Sequence, residues 1–114
     1  MSRKRSGSIP PMRSRSARGD VYLVKQDYEH AAADYAEAAS LDPNNALLFI
    51  GRGMAHIGMG DADLALADFE QAIRLQPSLA LGLYWRGIVR RFKGDVAARE
   101  ADIAAARKID PGVR

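Results

Sequence analysis

The chain has 114 residues, a length typical of one small domain. It has no cysteine, which excludes disulfides, thiolate catalysis and cysteine-ligated metals. Its net charge of +3 is unevenly distributed: residues 1–18 hold six cationic residues and no acidic one, whereas the remainder has more acidic than basic residues. No apolar run has the length of a membrane span or a signal-peptide core, so a cytoplasmic protein is expected.

The first eleven residues, MSRKRSGSIPP, combine serine, glycine, proline and three positive charges, with Ile9 as the apolar side chain to bury. Burial of one such side chain does not offset the conformational entropy that is lost when a segment is ordered. We therefore predict a disordered basic leader over residues 1–11 and a folded domain over residues 12–114.

The remainder of the chain repeats itself at a fixed interval. When each residue is compared with the one 34 places later, three repeats appear, at about residues 12–45, 46–79 and 80–113. Seven equivalent positions, called columns below, hold the same residue in all three repeats. The columns are Arg18, Arg52 and Arg86; Gly19, Gly53 and Gly87; Asp27, Asp61 and Asp95; Ala33, Ala67 and Ala101; Asp34, Asp68 and Asp102; Ala38, Ala72 and Ala106; and Pro43, Pro77 and Pro111.

Two helices are predicted in the first repeat. Its apolar pattern becomes regular over residues 21–24, which predicts the first helix there. Asp27 is then placed to cap a second helix, and Asp42-Pro43 ends that helix because proline cannot continue it.

The second repeat shows the same two helices more clearly. Apolar residues on more than one face predict a helix over residues 47–57, which Gly58 and Gly60 end. Asp61 is placed to cap the next helix, whose apolar residues recur at spacings of three and four until Pro77.

The third repeat follows this plan but differs in its second helix. Arg99 and Glu100 stand there in place of Ala65 and Leu66 of the second repeat. Polar residues are typical of a terminal helix whose outer face no further repeat covers, so this helix is predicted to cap the array.

The predicted units are 34 residues long with a helix-turn-helix pattern, and the second unit holds Phe49, Gly53, Ala65, Phe69 and Pro77 at regular positions. In the length of its units and in these residues, the chain resembles the tetratricopeptide repeat family. The resemblance covers about residues 12–112 and implies an all-α array of three units in a right-handed superhelix, which serves as a non-catalytic scaffold for protein interaction.

The chain departs from the family pattern in three columns. Arginine stands at the usual leucine in all three repeats, His56 and Arg90 replace an aromatic residue, and Arg99 replaces the small residue in the last repeat. Each arginine in the leucine column is followed by an aspartate sixteen residues later, so we predict an ion pair between the two helices of every repeat. The alternative is a pair of solvated charges that recurs because the repeat was duplicated. The predicted pairs are Arg18 with Asp34, Arg52 with Asp68, and Arg86 with Asp102.

No set of residues indicates catalysis. His30 and His56, the two histidines, lie in different predicted helices, without a serine or cysteine nucleophile in register or a metal-ligand partner at helical spacing. The segment from Gly58 to Gly60 lacks the third glycine of a dinucleotide-binding loop. We therefore predict that the protein is not an enzyme and binds no cofactor or metal ion.

The resemblance implies that the first helix of each repeat lines a concave groove. In the second and third repeats the residues at these positions are apolar, which favours a protein or peptide partner with an apolar segment, anchored by Tyr84 and Trp85. The alternative for the aliphatic residues is packing of first helix against first helix. The predicted groove residues are Leu47, Ile50, Met54, Ile57, Leu81, Tyr84, Trp85 and Ile88.

In the first repeat, polar residues hold the corresponding positions, so the groove is expected to be apolar at one end and polar at the other. These residues are Arg13, Ser16 and Asp20. Some members of the family bind acidic chaperone C-termini through a clamp of lysine, asparagine and arginine. The matching positions here hold Ser16, Asp20, Gly51, Leu81 and Trp85. No such clamp is therefore expected.

Two other functions compete with groove recognition. The basic tail over residues 1–18, with its six cationic residues, could associate with nucleic acid or another anionic surface. It has no aromatic residue for base stacking and the repeats are acidic, so this function is disfavoured. A self-associating structural unit is the other, since three repeats are about the minimum that folds alone. We expect a monomer or weak self-association.

Overall fold

The structure, a computed structural model, describes residues 15–113. The leader predicted for residues 1–11 lies outside the described residues, as do Arg13 and the side chain of Ser16. All regular elements in the described range are α-helices, six in number, and they confirm the predicted all-α repeat array. The helices are α1 (Arg15–Val24), α2 (Tyr28–Leu41), α3 (Ala46–Gly58), α4 (Ala62–Leu75), α5 (Ala80–Phe92) and α6 (Val96–Ile109).

An aspartate begins the second helix of every repeat. The Asp27 carboxylate accepts a hydrogen bond from the backbone N–H three residues on at 3.4 Å, Asp61 does so at 3.1 Å and Asp95 at 3.0 Å. Such a cap satisfies one of the backbone N–H groups that have no partner within the helix. The recurrence of aspartate in this column therefore reflects the start of α2, α4 and α6.

The turn before each cap contains one residue with a left-handed backbone. Gly60 has φ +81° and Gly94 has φ +89°, whereas the first repeat has Gln26 at φ +62° in the same column. A residue with a Cβ atom is strained in this region and glycine is not. Of these three residues, Gln26 is thus the one whose backbone conformation is strained.

The core lies both within and between repeats. One buried cluster joins α2 to α3 around Tyr35 and Leu48, and a second joins α3 and α4 to α5 around Phe69 and Val89. The first helices also contact one another, α1 with α3 and α3 with α5. The molecule is elongated as a result, with extents of 57 × 26 × 25 Å, as expected of an array in which each unit packs on its neighbours.

Glycine permits the close approach of an aromatic ring in both clusters. The Tyr35 ring lies over Gly51, where a Cβ atom would overlap it. The Phe69 ring lies over Gly53, where a Cβ atom would be 2.5 Å from the nearest ring carbon. These rings occupy the same column in successive repeats, and the glycines fix how near α3 approaches α2 and α4.

The last helix, α6, packs on α5 alone among the described helices. Its outer face is polar at Arg107, which stands in the column of the buried Ala39 and is exposed. The Arg107 Nε donates to the Val113 carbonyl at 3.2 Å. The polar residues predicted to make this outer face included Arg99, and that assignment was wrong. The Arg99 side chain is half-buried, and its Nε atom has almost no contact with solvent.

None of the helices within residues 15–113 has the combination of length and apolar content that crossing a bilayer requires.

Replacing Gln26 with glycine should raise the free energy of unfolding by about 0.5–1 kcal/mol, because the left-handed backbone is no longer strained by a Cβ atom. Gln76→Gly is the matched control, since Gln76 is exposed and has φ −146°; there glycine only adds entropy to the unfolded chain and should destabilise by a similar amount. Urea denaturation of both variants measures the difference. Equal losses of stability would contradict the assignment of strain to Gln26.

Candidate functional site

An arginine of the first helix and an aspartate of the second helix are in contact in every repeat. Arg18 Nη2 lies 2.9 Å from Asp34 Oδ1, Arg52 Nη2 lies 2.7 Å from Asp68 Oδ1, and Arg86 Nη2 lies 2.8 Å from Asp102 Oδ1. Each arginine also donates from Nε at 3.0 Å. The three aspartates are only 6%, 4% and 3% exposed, so these hydrogen bonds compensate carboxylates that are nearly removed from water.

A second donor joins the carboxylate in the second and third repeats. His56 Nδ1 lies 2.7 Å from Asp68 Oδ2, and Arg90 Nη1 lies 3.1 Å from Asp102 Oδ2. These two residues are the replacements for an aromatic residue noted in the sequence, and both lie one helical turn after the arginine of their repeat. The spacing of His56 and Arg90 from the arginine therefore carries the signal of this second contact, which was not among the predicted ion pairs.

The first repeat keeps an aromatic residue in that column. Tyr22 stacks on His30 with the ring centroids 5.0 Å apart and an interplanar angle of 24°. His30 Nδ1 in turn lies 2.8 Å from Asp27 Oδ2. His30 therefore belongs to the capped start of α2.

The double variant Arg52→Met, Asp68→Ala should lose less stability than the sum of the losses in the two single variants. Each single change leaves a charged partner uncompensated, and we expect a coupling energy of about 1–3 kcal/mol. Denaturation of the four proteins of the double-mutant cycle measures it. The exposed Lys93–Asp63 pair is the control and should couple by less than about 1 kcal/mol. Strict additivity at Arg52 and Asp68 would contradict a structural role for the pair.

The cap of α2 also shifts the titration of two exposed groups. The hydrogen bond that His30 Nδ1 donates to the Asp27 carboxylate raises the pKa of His30 above its ordinary value, and the same bond lowers the pKa of Asp27. The His30 contribution to stability is complete below the pKa of the unfolded chain and is lost as the pH rises through the folded pKa. The Asp27 contribution is present above its unfolded pKa and is lost as the pH falls through the lowered one.

A histidine titration followed by NMR should therefore place the pKa of His30 above about 6.5 in the native protein. In Asp27→Asn the pKa of His30 should fall, because the neutral amide still caps the helix but no longer stabilises the imidazolium. A His30 pKa that is the same in both proteins would show that the pair is not formed in solution.

The predicted groove residues differ widely in accessibility. Leu47 and Leu81 are 54% and 43% exposed, and five others are half-buried. Ile50 is only 4% exposed and packs in the cluster around Phe69. The prediction that Ile50 faces a partner is therefore corrected: α3 contacts α4 and α5, and this side chain fills the space between them. The half-buried residues are Met54, Ile57, Tyr84, Trp85 and Ile88.

The two predicted aromatic anchors are partly committed to packing. Trp85 stacks on Phe69 with centroids 6.0 Å apart, and Tyr84 meets Trp85 edge-on at 5.6 Å. Trp85 therefore supports the second core cluster with one face of its ring. It also lines a surface cavity, which gives it a place at the candidate site.

That first cavity has a volume of about 220 Å³ and lies over α3, between α1 and α5. Three of its lining residues were among the predicted groove residues, namely Met54, Ile57 and Trp85. The other three were not, and they are Leu23, Tyr28 and Gly58.

A second cavity of about 260 Å³ adjoins the first at Ile57, which lines both. Phe92, at the end of α5, forms one wall although it is 71% exposed. The remaining lining residues are Gly60, Ala62 and Val89. The two cavities together are called the apolar groove below, because apolar atoms make up most of their walls.

The first repeat contributes more to this groove than the sequence analysis allowed. It was expected to form a polar end, yet Leu23 and Tyr28 line the first cavity. Asp20, the expected polar groove residue, accepts a hydrogen bond from the Tyr35 hydroxyl, and burial is the main cause that raises the pKa of Tyr35. Leu23 occupies the same column of the repeat as Ile57, so the repeat register could have identified it.

Within residues 15–113, no three histidine, aspartate or glutamate side chains are grouped so that they could hold a metal ion.

Two family models match the chain. A model described as TPR repeat matches residues 19–60, and one described as Tetratricopeptide repeat matches residues 50–113. No curated protein sequence matches it.

Several solved structures are similar. The second TPR domain of human RPAP3, in complex with HSP70 peptide SGPTIEEVD, has a TM-score of 0.81 and 30% identity over 87% of this chain and 82% of that one. The TPR2B domain of yeast Sti1, in a complex with pHsp70, has a TM-score of 0.83 and 23% identity over 87% and 79%. The translocator chaperone SycD of Yersinia enterocolitica has a TM-score of 0.82 and 18% identity over 86% and 73%. The last two show likeness of fold alone.

Proposed function

The chain belongs to the tetratricopeptide repeat family, and from this premise we propose that it is a non-catalytic scaffold whose apolar groove binds an apolar segment of a partner protein. The observation that carries the proposal is the pair of adjoining cavities over α3, with Ile57 shared between them. Residues of all three repeats line them, so a bound segment would contact the whole array. Concave sites with apolar walls are where such segments bind in general.

The chemistry of this groove favours a different ligand from that of the RPAP3 domain, which is in complex with an HSP70 peptide that ends in EEVD. An acidic chain end is held by cationic and amide side chains. The clamp positions among the described residues hold Asp20, Gly51, Leu81 and Trp85. One of these is itself acidic and the others carry no positive charge, which supports an apolar partner segment.

The size of the cavities suggests recognition by two anchoring side chains. Burial of a large apolar side chain contributes roughly 1.5–3 kcal/mol. Two such anchors offset only part of the free energy that association costs through lost translational and rotational freedom. We therefore expect binding that is reversible and depends on a small number of contacts.

One observation supports self-association as a second function. Val21 of α1 is 37% exposed, whereas Ala55 and Val89, which occupy the same column, are fully buried against the preceding second helix. No helix within residues 15–113 covers this face of α1. A second copy of the chain could supply one, and light scattering at high concentration would detect the dimer. Association of the basic tail over residues 1–18 with nucleic acid stays a prediction, because residues 1–14 lie outside the described part of the chain.

Trp85→Ala should weaken binding of a partner segment by more than about 1 kcal/mol, because it removes one wall of the first cavity. Since Trp85 also packs on Phe69, the exposed Phe92→Ala is tested beside it and should weaken binding while leaving the fold unchanged. Leu64→Ala is the control, because Leu64 is exposed on α4 and lines neither cavity. A partner from a crosslinking pull-down, reduced to its binding segment, serves as ligand in calorimetry. Unchanged affinity in both groove variants would remove the groove from the binding site.

A further inference from the structure

We propose that the partner segment carries an aspartate or glutamate next to its apolar anchors and that Arg91 binds this carboxylate. The inference rests on the proposed function of the groove and adds to it the chemical identity of the partner. It concerns a position outside the clamp discussed above.

The end of α5 carries three cations with different environments. Arg90 donates to Asp102 at 3.1 Å, and Lys93 forms an ion pair with Asp63. Arg91 is exposed and has no acidic partner in the part of the chain that the structure describes. Of the three, Arg91 is therefore the cation that pairs with no carboxylate within residues 15–113.

The repeat register places Arg91 in the row of residues that line the groove. It occupies the same column of the repeat as Ile57, which lines both cavities, and Leu23, which lines the first. Its sequence neighbour Phe92 forms a wall of the second cavity. A partner that follows this row from the first repeat to the third would meet the first cavity, Ile57, the second cavity and then a cation.

The helix dipole alone does not account for this arrangement. Any cation in the last turn of a helix interacts favourably with the C-terminal carbonyl groups, and Arg90 and Lys93 satisfy that preference as well. What distinguishes Arg91 is that its column is apolar in the other two repeats and that its charge is free. An arginine at the rim of an apolar site favours a carboxylate ligand, which it can hold with two parallel hydrogen bonds.

Such a contact would act chiefly on specificity. An ion pair at an exposed rim adds modestly to affinity, whereas a like charge at the same place is repelled, so partners with an acid there are selected over partners with a base. The apolar anchors would supply the affinity, and Arg91 would fix which end of the segment lies at the third repeat.

A peptide library tests the proposal with the full chain as bait. Random peptides are displayed on phage with their C-termini fused to the coat protein, so that no free chain end contributes a carboxylate. The baits are the native protein, Arg91→Gln, Arg91→Glu and the control Lys108→Glu, which changes the charge equally at an exposed residue of α6. Thermal denaturation establishes that all four are folded.

The native protein and Lys108→Glu should enrich peptides with two large apolar residues and a neighbouring acid. Arg91→Gln should lose the acidic preference and Arg91→Glu should replace it with a basic one. The best acidic peptide should bind Arg91→Gln roughly two- to fivefold more weakly than it binds the native protein. Enrichment of apolar peptides without an acid, or an acidic preference that survives in Arg91→Glu, would overturn the role of Arg91 and leave the groove function standing. If the native protein enriches no apolar peptide, the groove function itself fails.

Discussion

The arrangement of the helices depends on one carboxylate per repeat that is almost removed from water. Asp34, Asp68 and Asp102 each lie on the second helix of a repeat and accept hydrogen bonds from an arginine on the first. A buried charge tolerates little displacement of its partner, so each contact restrains how the two helices of a repeat slide and rotate. Apart from Tyr28, Gly60 and Ala62, the residues that line the groove lie on the same first helices as these arginines, and their placement therefore depends on the same contacts.

The pairing of large and small residues between repeats explains how the second cavity arises. Tyr28 of α2 packs on Gly58 at the end of α3, where a Cβ atom would overlap its ring. At the next interface the same two columns hold Ala62 and Phe92. There the large side chain is on the later helix and remains exposed, and a cavity lies between them. The exchange of large and small residues between these two columns thus leaves the second cavity open.

Much of the architecture could be predicted from the sequence because the residues that form it are identical in the three repeats. This recurrence is visible without a structure. It includes the caps at Asp61 and Asp95, the glycine under Phe69, and the sixteen-residue spacing of arginine and aspartate. The apolar groove was harder to predict because its columns hold different residues. Ile50 has the spacing of a groove residue but is buried by α4 and α5. Phe92 was missed because the depth of a cavity depends on which neighbours fail to fill it.

The central claim is that the groove over α3, and not another face of the array, is the binding surface. The most direct test is a methyl and indole NMR perturbation map of the full chain, recorded with and without a bound partner segment. The largest shifts should occur at Leu23, Ile57 and the Trp85 indole, with little change at Leu64. Shifts concentrated at Leu64 and the other exposed residues of the second helices, with Ile57 and Trp85 unchanged, would contradict it.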